Sequence, residues 1–249
     1  FYRKKTYDFY KCLYVVAYQQ NLHFKQIFKV LELMGEPWAK DMVHVAYGMV
    51  SLEDGAMSTR HGRVVLLEDV INKTIEKALE VIDAKNPYLE NKEETAKIVG
   101  TGAVIFGALA QNKIKDIVFS YDKVLNFDGE TGPYVQYTVA RCNSVIKKAG
   151  NIDAKGVVDT VTDDEFALAV QLESFPATIV AAAEKYEPSF IARYAVDLSQ
   201  KFNKFYFDCK ILSAEDENRK HFRLALTAAA AQALKNAFAL LGISMPDRM

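Results

Sequence analysis

A change of hydrophobic period partway along the 249-residue chain constrains its fold more than any other feature. Over the first ~85 residues short β-branched runs alternate with helical patterns, and from Asn91 onward nearly every periodic segment is helical. Leu13 to Ala17 reads as a buried strand. His23 to Met34 places Phe24, Ile27, Phe28, Leu31 and Met34 on one helix face, and Gly35 and Pro37 end it. Met42 to Val50 is the next strand, with Val43, Val45 and Tyr47 alternating. A strand, a helix and a strand at this spacing predict a βαβ unit with a parallel sheet. A polar loop from Glu53 to Gly62 follows, then the run Val64 to Leu67. The helix Asp69 to Asp83 carries Ile71, Ile75, Leu79 and Ile82 on one face.

Asn91 with Glu94 predicts a helix start, with periodicity to about Gln111. Ile117 to Tyr121 reads as a short strand or an extended connection. Phe127 to Pro133 is a loop by its glycines and proline, and Tyr134 to Lys148 is helical behind it. Thr162 and Glu165 form a capping box before a further helix, Glu187-Pro188 opens another, and Ser213 is expected to cap a last helix from Ala214 to about Leu241. The expected fold class is α/β plus all-α, a partial doubly wound (Rossmann-like) parallel sheet over 1–124 followed by a helical bundle over 125–249. A complete doubly wound sheet has five or six strands, and three or four are visible here. The α/β part therefore reads as incomplete on its N-terminal side, in keeping with a chain that opens at Phe1.

Composition narrows the classes further. Half the residues are apolar and the formal net charge is −1, which excludes disorder. The longest uninterrupted apolar runs, Gly102 to Ala110 and Ala177 to Ala183, are far shorter than the roughly 20 residues a bilayer needs, so no spanning helix and no membrane partner is expected. Cys12, Cys142 and Cys209 are widely spaced and read as reduced thiols of a cytoplasmic protein.

No Gly-x-Gly-x-x-Gly and no P-loop is present. His23, His44, His61 and His221 are scattered without metal-ligand spacing, and no Ser-His-Asp order stands out. The loop from Gly55 to Gly62 differs. It follows a strand at the edge where open parallel sheets bind ligands, and its hydroxyls, a flanking glycine and Arg60 with Arg63 suit a polyphosphate cradle. The same composition also fits a solvated hairpin-like loop.

Resemblance adds a family. Met57-Ser58-Thr59-Arg60-x-Gly62, preceded by Leu52-Glu53-Asp54-Gly55, resembles the mobile signature loop of class I aminoacyl-tRNA synthetases, and of the arginyl enzymes in particular. Phe127 to Tyr137, closed by Ala140-Arg141, is similar to the segment leading into the arginyl family's anticodon-binding bundle. Pro188 with Ala192-Arg193-Tyr194, Phe202-Asn203 and Phe205-Tyr206 resembles that bundle's middle helix. Gly242-Ile243-x-Met245-Pro246-x-Arg248-Met249 looks like the family's C-terminus. The cysteinyl family has a related bundle, but the run Gly129 to Tyr134 and the terminal segment favour the arginyl one.

The resemblance implies ATP-dependent ligation of arginine to its tRNA through arginyl-adenylate, with ATP as substrate, Mg2+ accompanying it and no tightly held protein metal. It implies that Ser58, Thr59 and Arg60 act catalytically on the departing pyrophosphate. Met57 and Gly62 would join those three in binding ATP, while Gln20 and His23 would line the arginine pocket. Tyr134 and Arg141, seven apart on one helix face, and the terminal Met249 would contact tRNA. A core aromatic is the alternative for Tyr134. Ala56 stands where many class I loops carry a lysine that arginyl enzymes often lack, and His61 where the arginyl family usually has lysine. The His-x-Gly-His type signature of the family's first half is absent from these residues. The expectation is therefore a C-terminal part that cannot complete catalysis alone, with the N-terminal half of the same protein as a needed partner. The rival expectation is a non-catalytic tRNA-binding module related to the synthetase, and a third is a helical interaction protein with no RNA role. From 132 to 249 there are 14 Lys plus Arg against 14 Asp plus Glu, so the bundle shows no basic excess. Lys147, Lys148, Arg193, Lys201, Lys204 and Lys210 are candidates for a local basic stripe.

Overall fold

The computed structural model describes residues 1–52, 66–150 and 156–249. A short helix α1 (Tyr2–Tyr7) precedes strand β1 (Cys12–Ala17), helix α2 (Asn21–Leu33) and strand β2 (Met42–Tyr47). β1 and β2 are parallel, in register from Cys12 opposite Met42 to Ala17 opposite Tyr47, so the expected βαβ unit is present. Phe24 and Leu31 are the buried residues of α2, and the Phe24 ring stacks on His44 of β2 at 4.3 Å.

The expected strand from Met42 to Val50 is two strands. β2 ends at Tyr47, and β3 (Val50–Leu52) pairs in parallel with β4 (Ile117–Phe119) in a second two-stranded sheet. Close approach causes the break. Gly48 donates its N–H to the Lys113 carbonyl at 2.6 Å, and a Cβ at this position would lie 2.2 Å from the Lys115 carbonyl oxygen. Only glycine lets the chain pass there.

Helices α3 (Leu67–Lys85) and α4 (Lys92–Leu109) pack on each other through Ala78, Ile82, Ala96, Val99 and Ala103. Their crossing is tight, since a Cβ on Gly100 would lie 2.7 Å from the Ile75 Cα. Asn91 occupies the cap of α4 with φ +59°, but its side chain makes no capping bond. After the short α5 (Tyr121–Val124) come α6 (Gly132–Ala149), α7 (Asp163–Glu173), α8 (Phe175–Lys185), α9 (Ser189–Asp208) and α10 (Glu217–Leu240). Thr131 Oγ1 accepts the Tyr134 N–H at 3.3 Å and starts α6. The expected Ser213 cap is corrected: Asp216 caps α10, accepting the Arg219 N–H at 2.8 Å, because its carboxylate lies where the first free N–H groups point.

One core joins these helices. Val135, Val139 and Cys142 of α6 meet Leu198, Phe202 and Phe205 of α9 and Leu224, Leu234 and Phe238 of α10, all buried. Phe106 of α4 reaches the same core and stacks on Phe238 at 5.6 Å. Each such ring contributes roughly 1.5–3 kcal/mol by leaving water. Ala230 and Ala231 lie in this contact, where small side chains let α10 approach closely.

One stretch longer than those apolar runs bears on the membrane expectation. Asp163–Lys185 has the length and apolar composition of a membrane-crossing helix. Counting uninterrupted apolar runs misses it, because Glu173 and Ser174 lie inside it. The fold breaks this stretch at Ser174 into two helices of 11 residues each, roughly 16 Å long against the about 30 Å of a bilayer core. Moreover, α7 turns a charged group inward. Glu165 is fully buried, with Oε2 accepting from the Thr162 N–H at 2.8 Å and Arg219 Nη1 at 2.9 Å, and Oε1 accepting from Arg223 Nε at 2.7 Å. The capping box read from Thr162 and Glu165 is thus also the anchor of α7 on α10.

Burial by itself would raise the Glu165 carboxyl. The Thr162 N–H and the Arg223 and Arg219 guanidinium groups outweigh burial and hold it below the usual carboxylate range. A depressed folded-state value contributes stability that is fully present above the ordinary carboxylate value and lost as pH falls through the folded one. Glu165→Gln should therefore cost about 3 kcal/mol near neutrality, and the difference from the parent should shrink as unfolding is measured at progressively more acidic pH. Cys142 supplies a second check. Burial pushes its thiol to about 12, so in the native chain at about pH 8 a maleimide should modify the half-buried Cys12 and spare Cys142. Mass spectrometry of the intact and digested protein reads the outcome.

Candidate functional site

Two regions hold those of the singled-out residues that the structure describes. At the first, β1 and β2 end together and α2 begins. Gln20 occupies the cap of α2, and His23 lies in its first turn with its ring edge toward Phe24 at 5.4 Å. Both side chains are exposed at this rim. Asp116 braces the rim, its Oδ1 accepting the Met49 N–H at 2.7 Å and its Oδ2 accepting from Tyr18 Oη at 3.4 Å. The loop residues Met57, Ser58, Thr59, Arg60 and Gly62, with Ala56 and His61, lie outside the described residues. The described chain leads into that segment from Leu52, the last residue of β3, and leaves it at Leu66, just before α3. Among the described residues no three His, Cys, Asp or Glu side chains gather as a metal ion would require.

The second region is a groove on the helical part. Its inner part, about 650 Å³, is lined by Tyr134, Arg141, Asn203, Phe127 and Met249. It adjoins an outer part of about 1350 Å³. Arg141, Tyr137, Asn86 and Met249 line both. Tyr134, Arg141 and Met249, which are 115 residues apart in sequence at the extremes, thus meet on one wall.

Local structure explains the meeting. With Val135, Val139 and Cys142 buried against α9 and α10, the helical repeat turns Tyr137 and Arg141 away from the core, while Tyr134 lies on the flank of α6, packed partly against the same core. Tyr134 is half-buried and Tyr137 exposed. The Arg141 guanidinium carbon lies 5.1 Å from the ring centre of Tyr137 and 5.1 Å from that of Tyr206 on α9, so the guanidinium engages both aromatic faces. Arg141 Nη1 also donates to Asn203 Oδ1, and Asn203 Nδ2 donates to Tyr134 Oη at 3.0 Å and to Thr138 Oγ1 at 3.1 Å.

The C-terminal segment closes the groove. Gln136 Nε2 donates to the Ser244 carbonyl at 2.9 Å, Asn143 Nδ2 to the Asp247 carbonyl at 3.3 Å, and Asn86 Nδ2 to the Met249 carbonyl at 3.4 Å. These bonds bring the terminal residues across α6 to the end of α3.

Charge is distributed unevenly. Arg141, Lys147, Lys148, Lys210, Lys235 and Arg248 line the outer groove, against Glu90 and Asp247. A sequence count of equal charges could not show this local excess. Of the six cations expected to form a stripe, Lys147, Lys148 and Lys210 are on the wall. Lys204 instead pairs with Asp164 and Asp208, and Arg193 and Lys201 do not line the groove. Sequence reasoning assigned no role to Tyr137, Tyr206 or Asn203, although all three stand in segments it quoted. The pairing of Tyr137 with Arg141 at four residues' spacing was the signal available for the first. An exposed aromatic wall with excess positive charge is the arrangement that binds unstacked bases and their phosphates.

Comparison with known proteins bears on both regions. Residues 1–121 match the family described as tRNA synthetases class I (R), catalytic domain, and residues 135–249 match the DALR anticodon binding domain. The chain is 55% identical to the arginine–tRNA ligase of Halothermothrix orenii, over all of this chain and 44% of that protein. To the arginine–tRNA ligase of Clostridioides difficile it is 53% identical, with the same coverage. Arginyl-tRNA synthetase from Thermus thermophilus superposes with a TM-score of 0.89 at 33% identity, over 96% of this chain and 41% of that one. The Plasmodium falciparum enzyme, at 24% identity and a TM-score of 0.84 over 100% of this chain and 43% of that one, shares the fold. The chain thus spans less than half the length of these relatives. With a class I catalytic match over its α/β part and an anticodon-domain match over its helices, in that order along the sequence, the chain belongs to the arginyl-tRNA synthetase family.

Proposed function

We propose that this chain is the part of a cytoplasmic arginine–tRNA ligase that comprises the second half of the catalytic domain, over 1–124, and the anticodon-binding domain, over 125–249. The observation that carries the reading is the convergence of Tyr134, Arg141 and Met249 on one basic, aromatic groove. In the reaction, a carboxylate oxygen of arginine attacks the α-phosphate of ATP, forming arginyl-adenylate and releasing pyrophosphate. A hydroxyl of the terminal adenosine of tRNA then attacks the adenylate carbonyl, and AMP leaves. No covalent enzyme intermediate is involved, so the protein's contribution is positioning and neutralisation of phosphate charge.

In this reading Ser58, Thr59 and Arg60, with Met57 and Gly62, hold the pyrophosphate of ATP, which arrives with Mg2+. Gln20 and His23, exposed at the strand rim, face arginine and its adenylate. Tyr134 stacks on an unpaired anticodon base and Arg141 offers it a hydrogen-bonding edge. The lining cations attract the phosphates, so affinity for tRNA should fall linearly in log–log form as salt rises. Filter binding of an arginine-tRNA transcript at several salt concentrations tests that slope. Tyr134→Ala and Arg141→Ala should each weaken the same binding by ~1 kcal/mol or more.

Catalysis needs the rest of the α/β domain. Pyrophosphate exchange with arginine, ATP and tRNA should be undetectable with this chain alone and should appear when the upstream half is rejoined. Robust exchange by the chain alone would overturn the assignment of half a catalytic domain. A second reading is favoured by Ala56 and His61, which remove cations from the phosphate loop: a non-catalytic tRNA-binding module related to the synthetase. A rejoined protein that binds tRNA but never arginylates it would select this second reading.

A further inference from the structure

We propose that Asn203 is the positioning residue of the groove, setting the orientation of both Tyr134 and Arg141 for an unstacked base; this rests on the anticodon reading above. One amide reaches three partners on α6. Its nitrogen donates to Tyr134 Oη at 3.0 Å and Thr138 Oγ1 at 3.1 Å, while its oxygen accepts from Arg141 Nη1. The reverse amide orientation would set an NH2 against the Arg141 guanidinium, donor against donor. The orientation is therefore decided by chemistry. Thr138 is fully buried and donates its own hydroxyl to the Tyr134 carbonyl at 3.0 Å, so the network is anchored in the helix and does not drift with the groove surface.

Asn203 is well placed for this task. Phe202 and Phe205 beside it on α9 are fully buried, which fixes the backbone from which the amide projects. The amide itself is half-buried on the groove wall. Arg141 is held from three directions, by Asn203 and by the rings of Tyr137 and Tyr206. Tyr134 is held at its hydroxyl, which leaves its ring as the fixed surface. Side chains ordered before binding lose less entropy on binding, and that gain belongs to the ligand whose base fits the preset geometry. Without Asn203 the phosphate attraction of the six cations persists, but the base-reading pair is free to rotate.

The test compares an arginine-tRNA transcript with the same transcript carrying exchanged anticodon bases, binding to the full chain. Asn203→Ala should reduce discrimination between the two by about tenfold, through a larger loss of affinity for the cognate transcript than for the altered one. Tyr134→Phe, which removes one bond of the network without touching α9, should reduce discrimination about threefold. Its combination with Asn203→Ala should be no worse than Asn203→Ala alone, since the one bond that Tyr134→Phe removes is already lost in Asn203→Ala. Unchanged discrimination in Asn203→Ala, or full additivity with Tyr134→Phe, overturns the proposal. If Tyr134→Ala and Arg141→Ala leave discrimination untouched as well, the anticodon reading itself fails; if they abolish it while Asn203→Ala does not, only the positioning role fails.

Discussion

Burial of Val135, Val139 and Cys142 against α9 and α10 is the constraint on which the helical part depends. It sets the rotation of α6 about its own axis, and that rotation decides what the other side of the helix presents. A helix with this inner face turns residues 137 and 141 outward and leaves Tyr134 on the flank between core and groove. Core packing and groove chemistry are thus two faces of one element. Gln136, fully buried, adds a third function by holding the Ser244 carbonyl and drawing the C-terminal segment over the helix. The terminal residues reach the groove wall for that reason.

The α/β part and the bundle are joined by the packing of α4 on the bundle core and by specific polar contacts. Glu187, at the turn between α8 and α9, is almost fully buried and accepts from the Lys113 backbone N–H and Nζ, each at 3.3 Å, while Ser189 Oγ donates to it at 2.9 Å. Lys113 also donates to the Lys185 carbonyl at 2.9 Å and accepts the Gly48 N–H through its own carbonyl. A short segment around Lys113 therefore touches both the break between β2 and β3 and the turn of the bundle. Asp116, a few residues on, braces the strand rim. The rim and the bundle are thereby held in one frame, so the two regions singled out by the sequence keep a defined relation.

Much of this architecture was legible in the residues. The βαβ unit followed from β-branched runs separated by one amphipathic helix, and the capping box at Thr162 and Glu165 followed from its spacing. Where the reading went astray, the cause was a contact distant in sequence. The run from Met42 to Val50 alternates like one strand, and only the approach of Lys113 and Lys115 to Gly48 divides it between two sheets. Ser213 has the chemistry of a helix cap, but packing places the start of α10 at Asp216. The groove's charge was invisible for a similar reason: a neutral sum hides six cations collected from α6, α10 and the two segments that pack against them.

By itself the sequence determined the order of elements, the helical faces and the family resemblance, because periodicity, caps and motif spacing are local properties of a chain. Tertiary structure alone decided which polar side chains meet. Arg141 and Asn203 are 62 positions apart, and Arg141 and Met249 still farther. No local rule joins residues at such separations. Their encounter is fixed only when α6 and α9 bury their apolar faces together, since that burial sets the distance and angle at which the remaining side chains face one another.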